Sequence, residues 1–110
     1  MVNPLRGEVP ITINGEARIL RLSLGALIAF EAERGKSIMA LLEALDRGEL
    51  EIADLISLLQ AGLNASGWSV TRDTLLEAEF EGGYLSATRA VANALRLSFD
   101  PTSGGGQDEL

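Results

Sequence analysis

The dipeptide Asn14-Gly15 constrains this chain more than any other feature. A two-residue type I′ turn needs φ > 0 at both central residues, and Asn-Gly supplies it at low steric cost. The surrounding stretch, GEVPITINGEARILRLSLGALIAFEAERG from Gly7 to Gly35, therefore reads as a β-hairpin running into a helix. With Asn14-Gly15 as the loop, Ile13 faces Glu16, Ile11 faces Arg18, Val9 faces Leu20 and Glu8 faces Arg21. Val9, Ile11, Ile13, Leu20 and Leu22 then share one apolar face. Glu8, Thr12, Ala17, Ile19 and Arg21 take the other, with Glu8 and Arg21 as a cross-strand charge pair. Pro10 is tolerated because a two-stranded ribbon has free edges. Such a ribbon is not stable alone in water, so its apolar face needs a cover, and the rest of the chain offers only helices.

Met1 to Arg6 is a short lead-in that frays. Ser23 caps a first helix, Leu24 to Arg34, stopped by Gly35. It is apolar around much of its circumference and is expected to be the central helix, touching ribbon and later helices alike. Ser37 caps a second helix, Ile38 to Arg47. There Ile38, Leu41, Leu42 and Leu45 recur at i, i+3, i+4 and i+7, and Glu43 pairs with Arg47. A third runs from Ile52 to Ala65 on the stripe Ile52, Leu55, Ile56, Leu59 and Leu63, widened by Leu58 and Ala61. Gly62 inside it costs about 1 kcal/mol against alanine, which suits either a close helix contact or early fraying. Thr71 caps a fourth, Arg72 to Glu81, with Leu75, Leu76 and Phe80 as its inner edge. The fifth, Tyr84 to Leu97, carries the stripe Tyr84, Thr88, Val91 and Leu95.

The architecture predicted is α+β and mainly helical: an N-terminal β-hairpin followed by about five short α-helices packed around it. Residues 1–99 make one domain, and residues 100–110 read as a disordered C-terminal tail. There is no cysteine and no histidine, which removes disulfides, thiolate metal sites, the usual general base and the usual zinc ligand. The remaining option is a dicarboxylate, from Glu77 with Glu81 or Glu31 near Glu33. Both pairs flank glycines at helix ends, where solvated acids are ordinary, so the reading is no enzyme, no cofactor and no metal. Sixteen acidic against nine basic residues give a net charge of −7 with no basic stripe, which argues against nucleic acid. No uncharged apolar run is long enough for a membrane span and no signal peptide is visible, so a cytoplasmic protein is expected. An apolar fraction of 46% leaves greasy surface for a protein partner. A groove, if present, is expected around Leu41, Leu42, Leu45, Leu55, Leu58, Leu59 and Trp68. The single tryptophan is either a plug over helix ends or an anchor for the partner.

One long signature adds to this. N-x-x-R-G-E-V, at Asn3, Arg6, Gly7, Glu8 and Val9, opens the hairpin. L-S-L-G-A-L follows at Leu22, Ser23, Leu24, Gly25, Ala26 and Leu27, with Glu31 beyond it, and D-L-I-S-L-L-x-A-G-L spans Asp54 to Leu63. Over residues 3–97 the chain resembles the gene transfer agent family of small tail proteins, related to phage tail assembly chaperones. The resemblance implies a tail assembly chaperone of a gene transfer agent or prophage in a bacterial host. Its partners would be the tape-measure protein and the tail tube protein, and self-association stays open. The alternatives are a structural, tube-associated tail protein or an unrelated acidic protein-binding adaptor.

Overall fold

Asn14 has φ 53° and Gly15 φ 79°, so the turn is built on left-handed backbone at both central positions. The computed structural model describes residues 2–99. β1 (Glu8–Ile13) pairs antiparallel with β2 (Glu16–Arg21) in the expected register, Ile13 opposite Glu16 through Glu8 opposite Arg21. The pair flanking a two-residue turn is hydrogen-bonded and pairs alternate from there, so Pro10, opposite Ile19, needs no N–H towards β2. Val9, Ile11, Ile13, Leu20 and Leu22 are all buried, as the alternation requires. Glu8 and Arg21 do not pair. Glu8 Oε1 accepts the Asn3 N–H at 2.8 Å, and Arg21 Nε donates to the Arg6 carbonyl at 2.9 Å. The described part of the lead-in is therefore shaped, not frayed: Pro4–Arg6 form a single 3₁₀ turn in which the Leu5 and Arg6 N–H groups donate to Asn3.

Five helices follow: α1 (Leu24–Arg34), α2 (Ile38–Asp46), α3 (Ile52–Ala65), α4 (Arg72–Leu76) and α5 (Gly83–Phe99). The fold is α+β. Ser23, Ser37 and Thr71 cap as expected, their hydroxyls accepting the N–H groups of Ala26, Ala40 and Thr74. Glu43 does not hold Arg47, which turns to Glu49 at 2.9 Å.

Two expectations about packing are overturned. The central helix is α3, not α1. It packs on α1, β2, α4 and α5, and buries Leu55, Ile56, Leu58, Leu59 and Leu63. Gly62 is the reason. A Cβ there would lie 2.5 Å from Leu20 Cδ1 and 3.2 Å from Leu22 Cδ2, so its absence lets β2 settle directly on α3. The fourth helix stops at Leu76, five residues short of Glu81. Beyond it the chain extends along the outer edge of β1: Asn14 N donates to Glu79 O at 2.8 Å, Glu81 N donates to Thr12 O at 3.1 Å, and Phe80 bridges Ile13. Asn14 Oδ1 accepts the Glu79 N–H at 2.9 Å. Open strand-edge groups at the hairpin tip outweigh the helical preference of the Glu77–Glu81 segment.

The face of α5 is also rotated from the stripe of large residues. Ala87, Ala90, Val91, Ala94 and Leu95 face inwards, while Tyr84 and Leu85 are exposed. Alanines let the helix lie close to the ribbon, which a count of large side chains cannot register.

Candidate protein-binding surface

The seven side chains expected to line a groove do not converge. Leu41, Leu55, Leu58 and Leu59 belong to the core. Leu55, Leu58 and Leu59 face the ribbon and neighbouring helices because α3 is the element that most others pack against, and Leu41 is the buried side of α2. Leu42 and Leu45 are half-buried and line a shallow depression against the far half of α5. Trp68 lies under Arg18, whose guanidinium sits 3.8 Å from the ring centroid, so the indole is engaged by β2.

An apolar groove lies between the start of α3, α4 and the start of α5. It encloses about 260 Å³ and has Leu55, Ile56 and Leu75 as its floor. Ile52, Leu76 and Tyr84 form its walls, and half-buried Leu50 and Thr88 complete the lining. Ile52 is 74% exposed, Tyr84 66% and Leu76 50%. All three are inward positions of the stripes that helical periodicity predicts, so the structure reverses the expectation for each. Four exposed acids, Asp73, Glu77, Glu79 and Glu81, lie on the segment that supplies Leu75, Leu76 and Tyr84. None has an ion-pair partner among the described residues. The sequence signal for this site was available: between Arg72 and Arg89 there is no basic residue at all. The groove is thus apolar, and the chain segment that supplies half of it is acidic, a combination that suits an amphipathic helix carrying bases.

The carboxylates weighed as an acid/base site have other partners. Glu31 Oε2 accepts the Ile38 N–H at 2.8 Å and so braces the start of α2. Glu33 lies 3.6 Å from Arg72 and accepts from Ser57 Oγ, which is buried and itself accepts from Arg72. Glu77 and Glu81 are no longer one helical turn apart, since α4 has ended. Among the described residues no three His, Cys, Asp or Glu side chains gather as a metal site. No described helix is long and apolar enough to cross a membrane.

One buried acid escaped the sequence reading. Asp54, 2% exposed, accepts from Arg34 Nε and from Lys36 Nζ, each at 2.8 Å, and Lys36 also reaches Glu51 at 3.1 Å. This cluster ties the end of α1 and the loop before α2 to α3. Burial pushes the Asp54 carboxyl up, but the hydrogen bonds from Lys36 and Arg34 more than offset it and hold it below its ordinary 3.8. The Lys36 ammonium is raised above 10.5, chiefly by its hydrogen bond to Asp54. A depressed carboxyl stabilises the fold above its unfolded pKa, and that contribution is lost as pH falls through the folded value. Asp54→Asn is therefore expected to cost about 2 kcal/mol near neutrality, kept modest because Arg34 and Lys36 can turn to water. Urea titrations at several pH values should show the gap between wild type and variant holding steady above pH 3.8 and closing below it.

A family model described as phage tail tube protein, GTA-gp10, matches residues 6–100, from the 3₁₀ turn through the whole of α5. No curated protein and no solved structure matches the chain. The match takes in the hairpin, its α3 cover and both walls of the apolar groove, and by that span the chain belongs to the phage tail tube protein GTA-gp10 family.

Proposed function

We propose that this protein is a non-catalytic assembly chaperone for the tail of a gene transfer agent or prophage, and that it holds a helix of the tape-measure protein in the groove walled by Ile52, Leu76 and Tyr84. Membership of the tail family supports a part in building a phage-like tail. The single observation that carries the finer reading is an exposed apolar groove built partly from a segment whose four exposed acids have no ion-pair partner among the described residues. A groove of this kind covers an amphipathic helix through side chains spaced at i, i+3 or i+4, and i+7, and the acids of that segment steer a basic face towards it.

Co-expression with the tape-measure protein tests this, with soluble co-purification expected. Leu76→Asp with Tyr84→Asp should weaken the complex by at least roughly tenfold, since each removes an apolar anchor. Because both positions are open to water, Tm should stay within about 4 °C of wild type. A tape-measure protein that remains insoluble, or binds the variant as well as wild type, would overturn the proposal.

A second reading is supported by the family's own description: a structural, tube-associated protein retained in the particle. Its mark would be stoichiometric amounts of this chain in purified particles. The extent of sheet favours the chaperone. Among the described residues it is one hairpin with a single extra bridge, which leaves little strand edge for ring contacts.

A further inference from the structure

Residues 100–110, read from the sequence as a disordered tail, lie outside the described residues. Their composition is one-sided. Asp100, Asp108 and Glu109 are acidic, no basic residue accompanies them, and three glycines at 104–106 stand between the last two and α5. The chain leaves the described structure at Phe99, which is more than half exposed and lines a depression of about 470 Å³. Leu5, Leu24 and Leu27 give that depression its apolar part, and Arg6 and Arg21 give it charge.

The depression is suited to an anion with an apolar neighbour. Neither arginine has a carboxylate partner among the described residues. Glu8 stands opposite Arg21 in the ribbon and is the nearest candidate by register, but its carboxylate accepts the Asn3 N–H instead. α1 begins at the same place, and with no acid in its first turn the positive end of that helix is uncompensated. The negative end of α5 is offset by Arg96 in its own last turn. Leu5 and Leu24 are each more than two-thirds exposed, so the apolar part of the depression has no cover among the described residues.

We propose that the tail folds back into this depression, setting Asp108 and Glu109 against Arg6 and Arg21 and laying Leu110 on Leu5 and Leu24. Asp108 is nine residues beyond Phe99. A glycine-rich segment of that length has an r.m.s. span of about 15–18 Å and reaches roughly 30 Å when drawn out, enough for a depression that Phe99 itself lines. Tethering holds the acids at an effective concentration of about millimolar, so exposed ion pairs and one leucine, too weak to join separate molecules, are populated within one. Arg89 is worse placed as a partner, since it lies ten residues back along α5, about 15 Å from its end. The fold-back covers the exposed leucines at this end of the molecule. It leaves open the groove at the start of α5, about 25 Å away along that helix, and does not depend on what the groove binds.

Nuclear magnetic resonance of the full chain tests it. The chain has no cysteine, so Gln107→Cys takes a single nitroxide label beside the two acids. The label is expected to broaden the amides of Gly7, Leu24 and Leu27 severalfold more than those of Asp73, Glu77 and Tyr84. Asp108→Lys with Glu109→Lys should remove most of that difference. Arg6→Glu should do the same, because the Arg6 side chain is exposed and holds no ion pair among the described residues. If Arg6→Glu fails to fold, the tail variant carries the test, since it alters no described residue. Absent broadening, broadening centred on Arg89 and Arg96 in place of Gly7 and Leu24, or insensitivity to the tail charges would each overturn the proposal. So would broadening of an isotope-labelled chain by a separate nitroxide-bearing one.

Discussion

Leu58→Asp is expected to leave no stably folded domain. Leu58 is fully enclosed in α3, the helix that the ribbon, α1, α4 and α5 all pack against. Removing the leucine from such a site costs about 2–5 kcal/mol through lost transfer energy and unfilled space. The carboxylate adds several more, because no cation reaches that part of α3: Arg34 and Lys36 are held at Asp54, and Arg72 at Ser57 and Glu33. Set against a total stability of about 5–15 kcal/mol for a domain of this size, the sum is decisive. Circular dichroism should show no cooperative melt, while Leu58→Met, which keeps the volume, should lose under about 1.5 kcal/mol. A Leu58→Asp variant that melts like wild type would mean that this side of α3 is open, and the core described above would be wrong.

Gly62→Val is expected to cost about 3 kcal/mol, against a helix-propensity gain of under 1 kcal/mol. The gain is local and the loss is tertiary. A Cβ at position 62 falls 2.5 Å from Leu20 Cδ1, and Leu20 is itself fully buried, so it has nowhere to swing. Valine adds two methyl groups beyond that Cβ and forces β2 away from α3. Chemical denaturation measures the loss. The diagnostic result is coupling: trimming Leu20 to Ala in the Gly62→Val background should cost less than in wild type, because the smaller side chain relieves the overlap. Additive costs would show that Gly62 matters for helix geometry alone and not for seating the ribbon.

The two substitutions mark the line between what local chemistry reveals and what it hides. The hairpin register was legible because it depends on two turn residues and a period of two, all within a dozen positions. The starts of α1, α2 and α4 were legible because Ser23, Ser37 and Thr71 act on N–H groups three residues ahead. The end of α4 was not legible: the residues that draw Glu79 and Glu81 out of the helix are Asn14 and Thr12, more than sixty positions away. Nor was the groove. Its three wall residues fit their helical stripes as well as the core leucines do, and periodicity places a residue on a face without saying which face is covered.

The sequence by itself determined the class of the fold, the ribbon's pairing, most helix boundaries and membership of a tail protein family. Those follow from short-range sterics, from capping, and from residue patterns that keep their order along the chain. The tertiary structure alone decided that α3 is the hub, that Asp54 is enclosed by two cations, and that the greasy surface falls at Ile52, Leu76 and Tyr84. These depend on which apolar faces cover one another. A missing methyl group at Gly62 settles that as firmly as any leucine, and an absence has no periodicity to read.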